Sequence, residues 1–263
     1  MSGSLVHVAT MNRVRRALRS GDAAAAIKLA SNLVRFRRKD RQGWMLYIGV
    51  LACVDAPLDE RLSVARKAFG EVPYHSPIFY QLSVELIQAY AWTGDRGFLA
   101  EIMMCTKHLE SIMGESPESL MARSEVAQLE NDDAAALVHA DRAFEMSEGR
   151  RTSEMKVMLG ACYWSIPDRQ EFARQLLEEA AGSGRNPVAS LTLGILVEDL
   201  DPKRSQALLA RAKAAFPPGS LGFRDFDRVV GRLREHHRLE TQRRRTSRPP
   251  PPSQPGPLWA DAN

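Results

Sequence analysis

The sequence predicts an all-α protein: about six helix-turn-helix units in a linear array, closed by a C-terminal capping helix. Three observations carry this. Paired apolar positions at three- and four-residue spacing run through most of the chain, and strand-type alternation is hard to find. Breakers at Gly21-Asp22, Asp55-Ala56-Pro57, Gly94-Asp95, Asn131-Asp132 and Asp201-Pro202 cut the helices at near-regular intervals. A column of residues early in each second helix, Ala26, Ala65, Leu99, Ala136, Ala173 and Ala207, repeats with offsets near roughly 34 residues.

In order, Met11, Val14, Ala17 and Leu18 line the first helix, and Ala26, Ala30 and Leu33 the second. Trp44, Tyr47, Ile48 and Leu51 open unit two, and Ala65, Phe69 and Val72 lead it to Pro77 after a longer loop. Unit three runs from Leu86, Ala89 and Tyr90 to Leu99 and Met103, ending at Gly114 and Ser116-Pro117. Unit four pairs Leu120, Ser124 and Ala127 with Ala136, Ala140 and Ala143. Unit five pairs Leu159, Gly160 and Tyr163 with Ala173, Leu177 and Ala180, closed by Gly182, Gly184 and Pro187. Unit six pairs Leu193, Gly194 and Val197 with Ala207 and Ala214, up to Pro217-Pro218. Small side chains let the second helix of a unit approach the first, and each pair must stack on its neighbours to bury its faces.

Leu159-Gly160 with Tyr163 reads as L-G-x2-Y, and Ala65, Phe69 and Pro77 as A-x3-F…P. On these motifs residues 7 to 218 resemble tetratricopeptide repeat proteins, with units one, three and four degenerate. The resemblance implies a right-handed superhelix whose concave face is lined by the first helix of each unit. The expected divisions are the repeat array over 1–220, the capping helix over 221–245 and a disordered Pro-rich tail over 246–263. The capping stretch puts Phe226, Val229, Val230 and Leu233 on one face and Arg228, Arg232 and Glu235 on the other.

The net charge of +4 is unevenly spread. Residues 1–41 carry ten Lys/Arg against two acids, residues 42–221 carry 17 against 25, and residues 222–263 nine against five. Basic ends flank an acidic middle, which is a statement about partners. No apolar run approaches the roughly 20 residues of a membrane helix. The start, with Arg13, Arg15, Arg16 and Arg19 after a weakly apolar stretch, has the wrong order for a secretory signal. Cys53, Cys105 and Cys162 read as reduced core thiols, so the expected location is cytoplasmic.

The sequence offers little for catalysis. It lacks the G-x-S-x-G elbow, the P-loop and a strand-linked dinucleotide glycine pattern. Cys105 and His108 could be half of a metal site, but no second pair completes it, and a core thiol beside a half-exposed histidine is the alternative. His236-His237 points to a surface role, and Asp132-Asp133 to a helix N-terminus. The chain is therefore expected to be non-enzymatic, with no cofactor and no metal.

Tetratricopeptide ligands contact a few fixed positions on the first helices. Aligned on that family, unit three offers Val84, Glu85, Gln88 and Trp92, and unit four Glu118, Met121 and Glu125. Unit five offers Glu154, Val157, Met158 and Trp164, and unit six Leu191, Ile195, Glu198 and Asp199. Trp92 and Trp164 suit either the groove or the core. The Lys, Arg and Asn with which some relatives grip a C-terminal carboxylate are missing, so that activity does not carry over. Apolar residues rimmed by acids suit a basic or amphipathic segment of a partner protein. The expectation is an interaction scaffold or adaptor. The alternative is a regulator that contacts nucleic acid through Arg13, Arg15, Arg16, Arg19, Arg35, Arg37, Arg38, Lys39 and Arg41, although the later cations also suit a helix C-terminus. Arg243 to Arg248 could fold back on the acidic groove or remain a solvated tail, and Pro249, Pro252 and Pro255 give a weak P-x-x-P pattern.

Overall fold

The computed structural model describes residues 2–149, 152–166, 168–182, 186–215 and 226–247, and every regular element among them is helical. Six successive units pair α1 (Ser2–Ser20) with α2 (Ala23–Phe36), α3 (Arg41–Cys53) with α4 (Leu58–Glu71), and α5 (Ser76–Thr93) with α6 (Gly97–Met113). They continue with α7 (Pro117–Leu129) and α8 (Asp133–Met146), α9 (Ser153–Trp164) and α10 (Gln170–Gly182), and α11 (Pro187–Leu196) and α12 (Pro202–Ala214). Among the described residues one further helix follows, α13 (Phe226–Ser247). The all-α repeat architecture is as the sequence predicts. Ser183, Gly184, Pro217, Pro218 and everything after Ser247, including the Pro-rich tail and Arg248, lie outside the described residues, as do the side chains of His236 and Arg243 to Arg245.

The turns inside units one to five each contain one residue of left-handed backbone. The backbone is left-handed at Gly21, Asp55, Gly94, Asn131 and Asp168. Glycine enters that region freely, and Asn and Asp more readily than other residues. The next helix is then capped where an acid follows: Asp22 accepts from the Ala25 amide and Asp132 from the Ala135 amide, each at 2.9 Å. Unit six has no left-handed residue. Asp201 caps the Arg204 amide directly, and Pro202 takes the first helical position, where its missing N–H costs nothing.

Odd-numbered helices from α1 to α11 pack on one another in succession, so they form the inner layer, while the even-numbered helices cover its outside. In unit two, α4 packs more extensively on α5 than on its own partner α3. Close approach within units follows the small-residue column. Ala26, Ala65, Ala136 and Ala173 are fully buried, and Leu99 holds the same place in unit three. A Cβ on Gly160 would lie 2.6 Å from Leu177 Cγ, so α9 and α10 sit closer than any other residue allows.

Unit six departs from the expected register. Ala207 is exposed, and Ser205 occupies the buried position, donating from Oγ to the Gly194 carbonyl at 2.7 Å. Gly160 faces Leu177, seventeen residues on, whereas Gly194 faces Leu209, fifteen on. Five residues separate the helices in both units, but α9 runs four residues past Gly160 and α11 only two past Gly194, so helix α12 meets its partner two residues sooner. Unit four closes through the mirrored bond, Ser124 Oγ to the Ala136 carbonyl at 2.8 Å.

Phe144, Tyr163 and Phe172 stack edge to face across units four and five, and Tyr163 Oη donates to Asp141 at 2.7 Å. The three cysteines are free; Cys162 is buried and Cys105 half-buried, but Cys53, at the end of α3, is exposed rather than a core thiol.

Candidate protein-binding groove

The inner face of units three to six encloses a groove of about 550 Å³. Its floor is apolar: Val84 and Ile87 from α5, Val157 and Met158 from α9, Ile195 and Leu196 from α11. Val84 and Ile87, three residues apart, share one helix face, and α9 and α11 each present two successive side chains. Glu125 of α7 and Glu154 of α9 add carboxylates, and Gln88, Ser165, Asn186 and Thr192 add polar contacts. The remaining wall comes from α13, through Leu233 and His237.

Seven of the fifteen residues expected at the site line this groove: Val84, Gln88, Glu125, Glu154, Val157, Met158 and Ile195. Three face the core instead. Met121 is fully buried and Trp164 is 8 % exposed, both in the cluster around Leu159 and Tyr163. Glu85 is buried beside Arg61, whose Nη1 donates to it at 3.0 Å. The reason is geometric. Each of the three stands one position from a lining residue, Val84, Ala122 or Ser165, and is turned to the adjoining helix. Trp92 is exposed at the end of α5, beyond the groove lining, and Glu118 is half-buried in the first turn of α7, also outside it. Glu198 is gripped by Arg234 of α13 through two bonds of 2.7 and 2.5 Å. Leu191 packs against the cluster of Ala212, Phe226 and Val230, and Asp199 is exposed.

Sequence reasoning missed Tyr80, Ile87, Leu196 and the whole contribution of α13. The signal for α13 was present in its apolar stripe, but a capping role absorbed it. In the structure α13 packs on α5 and α7 as well as α11, so it runs back over the inner layer rather than only closing the end of the array. Arg232 contacts Asp55, in the turn of unit two, and Arg228 lies 3.4 Å from the same carboxylate.

Beneath this contact is a buried polar network. Arg61, 5 % exposed, also donates from Nη2 to Gln88 Oε1 at 2.8 Å. Burial pushes the Glu85 carboxyl up, against the pull of Arg61 and Arg232, and pushes Arg61 down. Both partners are desolvated, so the pair holds because each compensates the other. It ties α4 to α5 directly behind Gln88.

Elsewhere the chemistry is structural. Burial drives the Cys105 thiol up to about 11, and the His108 ring stands edge-on to Phe69 at 6.0 Å, so this pair belongs to the unit-two and unit-three packing. No group of three or more His, Cys, Asp and Glu is placed to hold a metal among the described residues. Nor is any described helix long and apolar enough to cross a membrane. Near the end of α2, Arg35, Arg37 and Arg38 are exposed beside Phe36 in the sequence, itself 81 % exposed; Arg41, at the start of α3, is exposed too, and Lys39 Nζ donates to the Glu71 carbonyl at 2.7 Å.

No protein-family profile matches the sequence, and no curated protein does. Solved structures do. A thermophilic TPR protein of Thermus thermophilus, TTC0263, superposes with a TM-score of 0.51 at 16 % identity, covering 80 % of this chain and 98 % of its own. YrrB, described as a TPR protein with an unusual peptide-binding site, gives a TM-score of 0.36 at 14 % identity, covering 75 % and 97 %. Paired helices in an inner and an outer layer, closed by small residues at a recurring interval, and the superposition on TTC0263 together identify this chain as a tetratricopeptide-like repeat fold.

Proposed function

We propose that the protein is a non-enzymatic interaction scaffold whose concave face holds a basic or amphipathic segment of a partner protein. The observation that supports this most is the groove itself, an apolar floor from three inner helices with Glu125 and Glu154 beside it. Such a surface rewards an apolar helical face for the area it removes from water, and carboxylates in it select a cationic rim.

The test is a fluorescence titration with two synthetic peptides of one composition, Leu and Arg arranged on an amphipathic helix or scrambled. The amphipathic peptide should bind, more weakly as salt rises, and the Glu125→Lys/Glu154→Lys variant should lose most of that binding while keeping its urea midpoint. Equal binding of the scrambled peptide, or indifference to the double substitution, would count against the reading.

A second reading, contact with nucleic acid through the N-terminal unit, is supported by Phe36. An exposed ring among Arg35, Arg37 and Arg38 supplies a stacking surface next to phosphate-binding cations. A steep fall in single-stranded DNA affinity with salt, lost in Arg35→Glu/Arg38→Glu, is its expected signature.

A further inference from the structure

The last helix carries the chemistry that the groove suits. Over Phe226–Ser247, α13 has seven Lys/Arg against three acids. Phe226, Val230, Leu233 and His237 stand at i, i+4, i+7 and i+11, which is one helical face. The first two are buried against Ala212, with Leu191 and Leu209 beside them, and the last two reach the groove. Arg232 and Arg234, two residues apart, leave the helix about 200° from each other. They accordingly serve opposite sides: Arg232 meets Asp55 in unit two and Arg234 meets Glu198 at the end of unit six. The helix thereby bridges two distant units of the array.

The unit-six anchor is the weaker of the two. Arg234 and Glu198 keep 44 % and 37 % of their side-chain surface exposed, the situation in which an ion pair contributes little, whereas Arg232 and Asp55 keep 20 % and 19 %. The groove volume of about 550 Å³ stays open between α13 and the inner helices. The helix therefore borders the groove, through Leu233 and His237, without filling it.

We propose that the seat of α13 is the partner site. The groove takes a basic amphipathic helix with apolar residues at i, i+4, i+7 and i+11 and cations at i+6 and i+8, and α13 is the resident copy that a partner helix displaces. This rests on the reading of the groove as an interaction surface and adds the form of the ligand and the presence of a competitor. Only residues 215–225 separate α12 from α13 in the sequence. A short tether holds a segment at an effective concentration of about millimolar, enough to mask a groove of micromolar affinity.

The experiment uses the full chain and a labelled synthetic peptide with the sequence of residues 226–247. The peptide should bind Arg232→Glu/Arg234→Glu on the order of tenfold tighter than the parent chain, since the resident helix has lost both anchors. Asp55→Lys/Glu198→Lys should bind the parent peptide poorly and regain binding to a peptide with Glu at positions 232 and 234. Circular dichroism and urea midpoints establish that each chain is folded, and Arg232→Gln/Arg234→Gln replaces the reversal if that chain does not fold. Equal peptide affinity for the parent and released chains overturns the proposal. If an unrelated Leu/Arg amphipathic peptide binds both chains equally through Glu125 and Glu154, the groove reading survives and the seat of α13 is excluded. If no peptide binds any folded chain, both fall together.

Discussion

Gly160 shows how one missing methyl sets the distance between two helices. A Cβ there meets Leu177 at 2.6 Å and the Ala173 carbonyl oxygen at 3.2 Å, whereas one at Gly49 or Gly70 meets nothing within 4 Å. Gly160→Ala is expected to cost about 1–3 kcal/mol, as overpacked cores do. Gly49→Ala, an exposed mid-helix site, should instead stabilise by about 0.5–1 kcal/mol. Urea unfolding of the two variants checks the pair, and equal effects would refute the close contact. Glu85 makes a second residue-scale prediction. Burial raises its folded pKa above the ordinary 4.5, so folding favours the protonated carboxyl. Its contribution to stability is full below the unfolded value and is lost as pH rises through the folded one. The parent chain should therefore lose stability relative to Glu85→Gln as pH rises from the acid side, and a gain over the same interval would contradict the assignment. Gly160 was legible because its motif carries it. Glu85 was not, because a carboxylate aimed at the groove and one paired with Arg61 look alike until the facing helix is in place.

The helices themselves follow their local signals closely, while their register depends on turns that sequence periodicity reads less well. Units one to five share a left-handed turn residue, and the column from Ala26 to Ala173 is buried in all of them, with Leu99 in place of alanine in unit three. Unit six lacks that residue, and the column slips from Ala207 to Ser205. Ala207→Glu should accordingly stay within about 0.5 kcal/mol of the parent, as surface substitutions do. Ser205→Leu forces a larger side chain between α11 and α12 and removes the bond to Gly194, at a cost of about 2–4 kcal/mol from overpacking together with the lost bond. Thermal unfolding of both decides it, since the expected register gives the reverse order. The amphipathic pattern of α13 was equally legible, but its apolar face fits the end of an array and an inner groove alike. Only the contacts of Arg232 and Arg234, on units far apart in the chain, distinguish the two.

At the scale of the molecule, the array brings inner helices from units that span more than a hundred residues onto one concave face, and charge then organises what lies across it. An acidic middle between basic ends places cations of α13 opposite carboxylates of units two and six. The groove floor was partly readable, since family spacing located Val157, Met158 and Ile195. The helix over it was not, because it depends on a contact between residues 177 apart in sequence. Hydrogen exchange on the full chain, with and without a saturating basic amphipathic peptide, tests this arrangement most directly. On peptide binding, α13 amides should lose protection while α5, α7, α9 and α11 keep or gain it. Unchanged protection in α13, with new protection on the outer helices α4, α6, α8 and α10, would contradict it.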